Sequence, residues 1–303
     1  MYLNLGQSLG NHIESQSGNR DIVSTTFTME SSDTSSFRIP FHWGAVDATI
    51  DWGDGNTETF NGDARNSPTH SYASPGTYTI TLSGTFPTIR TSAGVTGNSV
   101  FRDKLRQVKI GTGWGVNAYA SRNATVFQNG FTNCKFLNNV EFLATPTVTQ
   151  TNVRGMFLNC HSLSTVAQTR LGVSYGGSGV VNLDKFDFYA VNNFRSMFQN
   201  CGIVNVATNN WGFGGLTDNG FEMVRMFFDG QGQTTRIQSP DTYGRMLVKI
   251  EQTANVIPTL KRITMDMGSS QYTASPSIPG YMARVSLIVN FGFSITDGGR
   301  AWI

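Results

Sequence analysis

Charged residues are scarce in this chain of 303 residues. Lys, Arg, Asp and Glu together make up 14% of it, whereas an average globular domain has about 25%. The formal net charge is +2, and the one local basic cluster, residues 102–109, is interrupted by Asp103. This is not the electrostatic footprint of a nucleic-acid-binding protein, so we expect no nucleic-acid partner.

Long hydrophobic runs are also missing. No apolar run approaches 18 residues, the minimum for a membrane-spanning helix, so we predict no membrane insertion. The first 20 residues are polar and include His12 and Glu14. They lack the apolar core of a secretory signal, and we expect synthesis without export by that route.

Cysteine is limited to Cys134, Cys160 and Cys201. Three cysteines cannot pair completely, and no CxxC or Cys/His spacing indicates a zinc site. What the chain has in quantity is glycine, 33 residues, and phenylalanine, 21 residues. Together with many Asn, Thr and Ser residues, this composition favours short strands and turns around an aromatic core. It predicts a mainly β protein with short helices, in about two domains.

The first recognisable strands lie between residues 27 and 95. In Thr77–Leu82 three apolar residues alternate with three threonines, which is typical of a half-buried strand. Ala48–Trp52 reads as a second strand that leads into a turn. Asp54-Gly55 predicts a type I′ hairpin turn there, with positive φ at both residues.

These residues resemble the PKD family, whose hallmarks are a WGDG turn and a later HxYxxxGxYxV strand. Ile80 stands where the family usually has Val. The resemblance implies an immunoglobulin-like β-sandwich over residues 27–95, preceded by an N-terminal arm at 1–26, that acts as a spacer or adhesion module without catalysis. The matching residues, which we interpret as structural, are Trp52, Gly53, Asp54, Gly55, His70, Tyr72, Gly76 and Tyr78.

Calcium is the metal that the aspartates of this turn could bind. Asp51 and Asp54 could supply oxygen ligands, but Ca²⁺ requires six to eight of them. Turn chemistry, in which an aspartate accepts hydrogen bonds from its own backbone, explains both residues more simply. We therefore expect no bound metal and no cofactor, with Asp51 and Asp54 as weak calcium candidates.

A repeat follows the first module. Phe131, Phe157, Phe198 and Phe227 are separated by 26, 41 and 29 residues, and the first three are each followed after three residues by a cysteine. An apolar residue also precedes each Phe by four positions. Offsets of 0, 4 and 7 share one face of a helix, so we predict that each unit is a short helix, a turn and a strand. Stacking of the units would bury Cys134, Cys160 and Cys201 as a ladder of small apolar side chains.

The repeats resemble the BspA-like leucine-rich repeats, the MFxxCxxL units of phage and bacterial surface proteins. The resemblance implies a short α/β solenoid over residues 96–236. The 41-residue interval departs from the family's usual spacing because of an insertion near residues 171–181. The fourth copy, Met226-Phe227-Phe228-Asp229-Gly230, has lost its cysteine and is predicted to be a terminal cap.

Residues 237–303 carry no family signal, and we predict a β-rich region that serves in assembly. Residues 245–251, 260–267 and 281–295 read as strands, with Arg284–Phe291 as the longest apolar run. The chain ends in Ala301-Trp302-Ile303. Trp302 and Ile303 are poorly suited to open solvent, so we predict that they form a contact within the chain or in an oligomer.

Two patterns suggest catalysis. Residues 172–176 match GxSxG, but a nucleophile elbow needs a strand before it, a helix after it and a later His. No His follows His161. Asp184 and Asp187 lie among aromatic residues and could serve as the carboxylates of a glycosidase, but a solvated strand edge is the simpler interpretation. We expect no enzyme activity.

The sequence thus predicts a non-enzymatic structural or surface-binding protein. The leading hypothesis is a phage virion component, such as a head decoration, fibre or tail protein, made in the host cytoplasm and displayed on the virion surface. Its partners would be other virion proteins or its own copies, or a glycan or protein of the host surface. The alternatives are a bacterial cell-surface adhesin and a tailspike-type polysaccharide depolymerase.

Overall fold

The computed structural model describes residues 23–92, 98–118, 127–146, 152–207, 213, 225–227, 236–257, 260–273 and 279–301. The protein is mainly β. Its helices are α1 Asn98–Lys104, α2 Pro240–Val256 and α3 Pro279–Val289. In chain order the strands are β1 Thr25–Ser31, β2 Phe37–Arg38, β3 Phe41–His42, β4 Ala45–Asp51, β5 Thr57–Asp63, β6 Thr69–His70, β7 Gly76–Thr85, β8 Thr88–Ile89, β9 Leu105–Ile110, β10 Asn139–Phe142, β11 Gln168–Arg170, β12 Val173–Tyr175, β13 Val180–Asn182, β14 Ile203–Ala207, β15 Arg236–Ile237, β16 Thr264–Asp266, β17 Tyr272–Thr273, β18 Ser294–Thr296 and β19 Arg300–Ala301.

One nine-stranded sheet runs through most of the molecule, in the order β15-β14-β13-β10-β9-β1-β7-β4-β5. From β9 to β5 neighbouring strands are antiparallel. From β9 to β15 they are parallel. Strand β9 belongs to both halves, so the antiparallel region and the repeats share a continuous sheet.

The antiparallel half shows the predicted alternation. In β7, Ile80 and Leu82 are buried, Thr77 and Thr79 are exposed, and Tyr78 is partly buried. The strand predicted at residues 48–52 is β4 up to Asp51. On the buried face lie α1 and two short ladders, β2–β6 and β3–β8.

The predicted type I′ turn at Asp54-Gly55 is wrong. The loop between β4 and β5 spans five residues, 52–56, and is closed by a hydrogen bond from the Trp52 N–H to the Asn56 carbonyl (3.0 Å). Positive φ occurs at Gly53 (79°) and Gly55 (93°), not at Asp54. Gly53 could not be replaced, because a Cβ there would lie 2.5 Å from the carbonyl oxygen of Thr79.

Trp114 joins the cores of the two halves. Its side chain is 1% exposed. Its ring lies against Phe27 and Phe86 of the antiparallel half, with centroids 6.4 and 5.8 Å away. On its other side it contacts Phe127 and Phe131 of the first repeat, at 5.4 and 5.6 Å. The aromatic core is therefore continuous, like the sheet.

The repeats form hydrogen-bonded turns, so the predicted short helices are wrong. We call the turns at residues 127–137, 153–163, 194–203 and 225–227 the repeat stack. Asn133, Asn159 and Asn200 have φ between 61° and 64°, which a right-handed helix cannot accommodate. Each turn instead bonds sideways to the next: the Phe131 N–H donates to the Met156 carbonyl and the Phe157 N–H to that of Met197, both at 2.9 Å.

The region after residue 236 contains the two longest helices of the described chain, so its prediction as β-rich is wrong. Residues 245–251 lie in α2, and most of 281–295 lies in α3. The signals for α2 were present: Ser239 caps the helix, Pro240 begins it, and Asp241 lies in its first turn. Of the three segments predicted as strands, residues 260–267 contain the short β16, and residues 281–295 include only the first two residues of β18.

The sideways hydrogen bonds continue through this region. The Phe198 N–H donates to the Met226 carbonyl, the Phe227 N–H to that of Asp266, and the Met267 N–H to that of Thr296. Strands β16 and β18 pair in parallel, as do β17 and β19. We call residues 236–301 the C-terminal layers, because α2 with β16 and α3 with β18 add two levels to the repeat stack.

No helix in the described parts of the chain has the length and apolar character needed to cross a membrane.

Candidate binding surface

A row of side chains crosses seven strands on the face of the large sheet opposite the core. Register pairing aligns these residues strand by strand. At about 4.8 Å per strand, the row is roughly 29 Å long. All its side chains are exposed or partly exposed. In order from β5 to β13 they are Thr57, Asp51, Thr81, Thr26, Lys109, Glu141 and Asn182.

A second row lies two residues away along the strands. It crosses six strands and contains a single apolar side chain, Val180. These residues are also exposed or partly exposed. From β7 to β14 they are Thr79, Thr28, Gln107, Asn139, Val180 and Asn205. We call the two rows together the polar face.

Hydroxyl and amide groups dominate the polar face. Its charged residues are Asp51, Lys109 and Glu141, and the last two lie 3.5 Å apart as an ion pair. Neither row contains an aromatic ring. The face can therefore donate and accept many neutral hydrogen bonds, but it does not suit a polyanion, which needs a cluster of Lys and Arg.

The parallel part of this face is unusual because its described side chains are accessible to solvent. Parallel sheets are normally buried on both faces, yet Gln107, Asn139 and Asn205 are all partly exposed at the centre of the parallel half. Their polar side chains show that this surface is built for water or for a polar partner.

The PKD-like residues form a compact structural cluster. The Trp52 indole, 1% exposed, donates its N–H to Glu58 Oε1 (2.8 Å). It stacks on the His70 ring at a centroid distance of 4.5 Å and an angle of 10°. The Tyr72 hydroxyl donates to the Trp52 carbonyl (3.0 Å). The Tyr72 ring stacks on the ring of Tyr78, and Gly76 lies two residues before Tyr78 in the sequence.

The two calcium candidates are used within the turn. Asp51 Oδ1 accepts the Gly53 N–H (2.8 Å). Asp54 Oδ1 accepts the Asn56 N–H (3.1 Å), and its Oδ2 lies 2.9 Å from His70 Nε2. Burial alone would raise the pKa of Asp54, but the hydrogen bonds from Asn56 and His70 outweigh it and lower the pKa. Among the described residues no group of three or more His, Cys, Asp or Glu side chains could hold a metal ion.

Aromatic rings run through the repeat stack. Phe131 and Phe157 are stacked with centroids 5.9 Å apart, Phe157 and Phe198 at 5.3 Å, and Phe198 and Phe227 at 5.1 Å. All four are fully buried. These rings form the core of the stack.

The three cysteines lie beside these rings, fully buried and unpaired as disulfides. The thiols of Cys160 and Cys201 donate to the carbonyls of Phe131 and Phe157, at 3.0 and 2.9 Å. Burial raises the pKa of Cys134 to about 12 and that of Cys160 well above its ordinary value. Such thiols are not nucleophiles at neutral pH.

An asparagine ladder, which was not predicted from the sequence, lies beside the cysteines. Asn159 Nδ2 donates to Asn133 Oδ1 (2.6 Å), and Asn200 Nδ2 donates to Asn159 Oδ1 (2.7 Å). The three residues also supply the positive φ of each turn. The signal was present in the repeated Asn-Cys dipeptide, since Asn tolerates the left-handed conformation better than other side chains do.

Neither catalytic pattern gains support from its surroundings. The GxSxG match at residues 172–176 includes β12 of the hairpin β11–β12, whereas a nucleophile elbow joins a strand to a helix. Asp187 Oδ1 accepts the Tyr189 N–H (2.8 Å), as in a turn, while Asp184 is exposed.

The predicted assembly contact at Trp302 and Ile303 and most of the N-terminal arm lie outside the described residues. No family model, no curated protein and no solved structure matches the chain. The PKD-like and BspA-like assignments therefore stay resemblances in sequence.

Proposed function

We propose that this protein is a non-enzymatic structural and surface-binding component of a phage virion, and that the polar face is its contact surface. The observation that carries the binding role is the solvent-accessible polar face of the parallel half of the large sheet, as far as the structure describes the chain. A row of hydrogen-bonding side chains that extends over roughly 29 Å fits an extended partner better than a small molecule, which would need a concave pocket.

The chemistry of the face favours a neutral, hydroxyl-rich partner. Thr, Asn and Gln side chains donate and accept hydrogen bonds without strong charge, which suits a glycan of the host surface or a polar patch of another virion protein. The shortage of positive charge disfavours nucleic acid and other polyphosphates.

The virion assignment rests on the two resemblances and on the thiols. A PKD-like module followed by BspA-like repeats is an arrangement of surface proteins. Three reduced, buried cysteines suit folding in a cytoplasm, where virions assemble. A cell-surface adhesin would use the same polar face, and a depolymerase would need a carboxylate pair in addition.

Binding is tested with the full chain on an array of neutral and acidic bacterial glycans. The variant Thr28→Glu with Asn139→Glu places two negative charges on the polar face, and we expect at least a tenfold loss of signal for the retained glycans. The matched control, Thr169→Glu with Ser174→Glu, adds the same charge to the exposed face of the hairpin β11–β12. Equal binding by both variants would exclude the polar face.

The virion role is tested separately by mass spectrometry of purified phage particles. A stoichiometric amount of the protein in intact particles is the expected result. Its absence from particles that infect normally would favour the adhesin. Removing only Trp302 and Ile303 then tests the predicted assembly contact without touching the described fold.

A further inference from the structure

One end of the nine-stranded sheet is a long and regular strand with a single neighbour. Strand β5 has seven residues and pairs with β4 along its whole length without a bulge. Every other strand that has a single neighbour in the described parts of the chain is two or three residues long. Proteins often guard an open edge with proline, a β-bulge or charged side chains, and β5 contains neither proline nor a bulge.

The outer backbone groups of β5 point away from the sheet. Directly after the strand, the Ala64 N–H donates to the Gly44 carbonyl (3.0 Å), which sets the phase of the β4–β5 ladder. Bonded and non-bonded pairs alternate along antiparallel strands, so the even-numbered residues of β5 bond to β4. The N–H and C=O groups of Thr57, Thr59 and Asn61 therefore face outward, and all three residues are exposed.

The two charged residues of β5 are engaged inside the chain. Glu58 Oε1 accepts the indole N–H of Trp52 (2.8 Å). Asp63 accepts two hydrogen bonds from the guanidinium of Arg65, at 2.9 and 2.8 Å. These carboxylates do not require a basic partner, so the edge suits an uncharged or self-paired strand.

We propose that β5 pairs in an antiparallel arrangement with β5 of a second copy of this chain, about a two-fold axis. The axis passes beside Phe60, so that Phe60 faces its own counterpart and Thr59 faces the Asn61 of the second copy. In this register all seven residues of β5 are paired. The outward N–H and C=O groups then bond to each other, as in the strand additions by which other proteins bind extended chains.

The sequence of β5 complements itself in this register. Glu58 lies opposite Gly62 and Asp63 opposite Thr57, so no like charges face each other, which would be destabilising. Phe60 is partly buried at the edge of the core. It meets the second Phe60 in a non-bonded pair, where side chains are closest, and aromatic pairs across strands are stabilising. The two neighbouring symmetric registers would instead place Phe60 opposite Glu58 or Gly62.

Head-to-tail growth of the sheet is disfavoured by its other end. That end is β15, which has two residues, and the N–H of its Ile237 already bonds to Ser270 Oγ (2.9 Å). Two-fold pairing instead joins strands of equal length and closes the assembly at two copies. Because paired residues share one side of a sheet, it also joins the polar faces of the two copies. The contact does not depend on the ligand of that face.

The test is analytical ultracentrifugation of the full chain at micromolar concentrations, where we expect a dimer. Thr59→Pro removes an outward N–H. Proline is tolerated on an edge strand when its missing N–H faces away from the sheet, so the pairing with β4 should persist while the dimer dissociation constant rises at least tenfold. Thr59→Val keeps the N–H and is the matched control, which should leave the dimer intact. Asn61→Pro removes a second outward N–H and should act like Thr59→Pro, with circular dichroism to establish that each variant is folded.

A disulfide tests the register. Phe60→Cys places a new thiol opposite itself in a non-bonded pair, where the two side chains are close enough to be bridged, and the three native cysteines are buried. Glutathione disulfide should link two copies of Phe60→Cys but not two copies of Thr49→Cys, on the adjacent strand. A monomer at every concentration, or a dimer that both proline variants leave intact, would overturn the proposal. So would a dimer of Phe60→Cys that does not become linked.

Discussion

The repeat stack and the C-terminal layers share one backbone pattern but use different side chains. In both, an N–H of one level donates to a carbonyl of the next, as from Phe157 to Met197 and from Met267 to Thr296. The repeat stack fills its interior with Phe rings and Cys thiols, and its partly buried Asn amides lie beside them. The C-terminal layers are covered by α2 and α3 and tied together by the buried Asp297 carboxylate.

The repeating feature is therefore the sideways hydrogen bonding of the backbone. It continues beyond the last repeat that can be recognised in the sequence. Phe227 still follows the motif, whereas Asp266 and Thr296, which continue the ladder, have no motif around them. Each level buries its face against the next, as in repeat proteins generally. Loss of a side chain should therefore act differently in the two regions.

The largest expected effect is in the middle of the repeat stack. Phe157→Ala removes a ring that stacks on both sides, so we expect a loss of about 3–5 kcal/mol in the free energy of unfolding. Met267→Ala, at the corresponding ladder position of the C-terminal layers, should cost less, because the flexible Met is not part of the ring stack. Urea unfolding of both variants measures the difference, and equal losses would contradict the proposed division between the regions.

The next largest effect is at Asp297. Asp297→Ala leaves the Arg284 guanidinium and the Tyr243 hydroxyl without their partner, and removing one member of a buried ion pair costs about 3 kcal/mol. We expect the loss to be local. Hydrogen exchange should accelerate in α2 and α3 while residues 127–163 keep their protection. Equal acceleration in both regions would show that they unfold as one unit.

The sequence predicted the antiparallel half well because its signal is direct. Alternation in Thr77–Leu82 maps onto the two faces of β7 without reference to any other residue. The repeat was also found, but its helix was wrong. Offsets of 0, 4 and 7 are compatible with a helix, whereas the positive φ of Asn133 and its equivalents depends on hydrogen bonds to the next level.

The prediction of strands at residues 245–251 and 281–295 of the C-terminal layers is wrong for a different reason. The apolar, β-branched run Arg284–Phe291 favours a strand by composition. The tertiary contact with α2 favours a helix here instead: Pro279 begins α3, its buried residues Gly280, Ala283 and Leu287 share one helical face, and Gly280 allows a close approach to Gly244 of α2. The polar face could not be derived from the sequence at all, because it requires the register of strands as far apart as β5 and β13.

The asparagine ladder should contribute less than the rings. Asn159→Ala removes two side-chain hydrogen bonds and places alanine at φ 62°, so we expect a loss of about 2–3 kcal/mol. Asn159→Gly removes the same bonds but tolerates this φ, and it should be less destabilising by roughly 1 kcal/mol. Thermal unfolding of the pair separates the two costs. No difference between them would show that the backbone conformation changes in the alanine variant.

The smallest effect is expected at Cys160, where the fully buried position would suggest a large one. A buried hydroxyl is costly when it has no partner, but the Cys160 thiol already donates to the Phe131 carbonyl at 3.0 Å. The hydroxyl of Cys160→Ser can donate to the same oxygen, so we expect a loss of about 1 kcal/mol. Cys201→Ser should behave alike, since its acceptor, the Phe157 carbonyl, is 2.9 Å away. A loss near 3 kcal/mol for either variant would show that the serine hydroxyl does not reach the carbonyl.

Thiol labelling of the native protein checks the burial independently: it should be slow at neutral pH and become fast only on unfolding, because the raised pKa keeps the buried sulfur protonated.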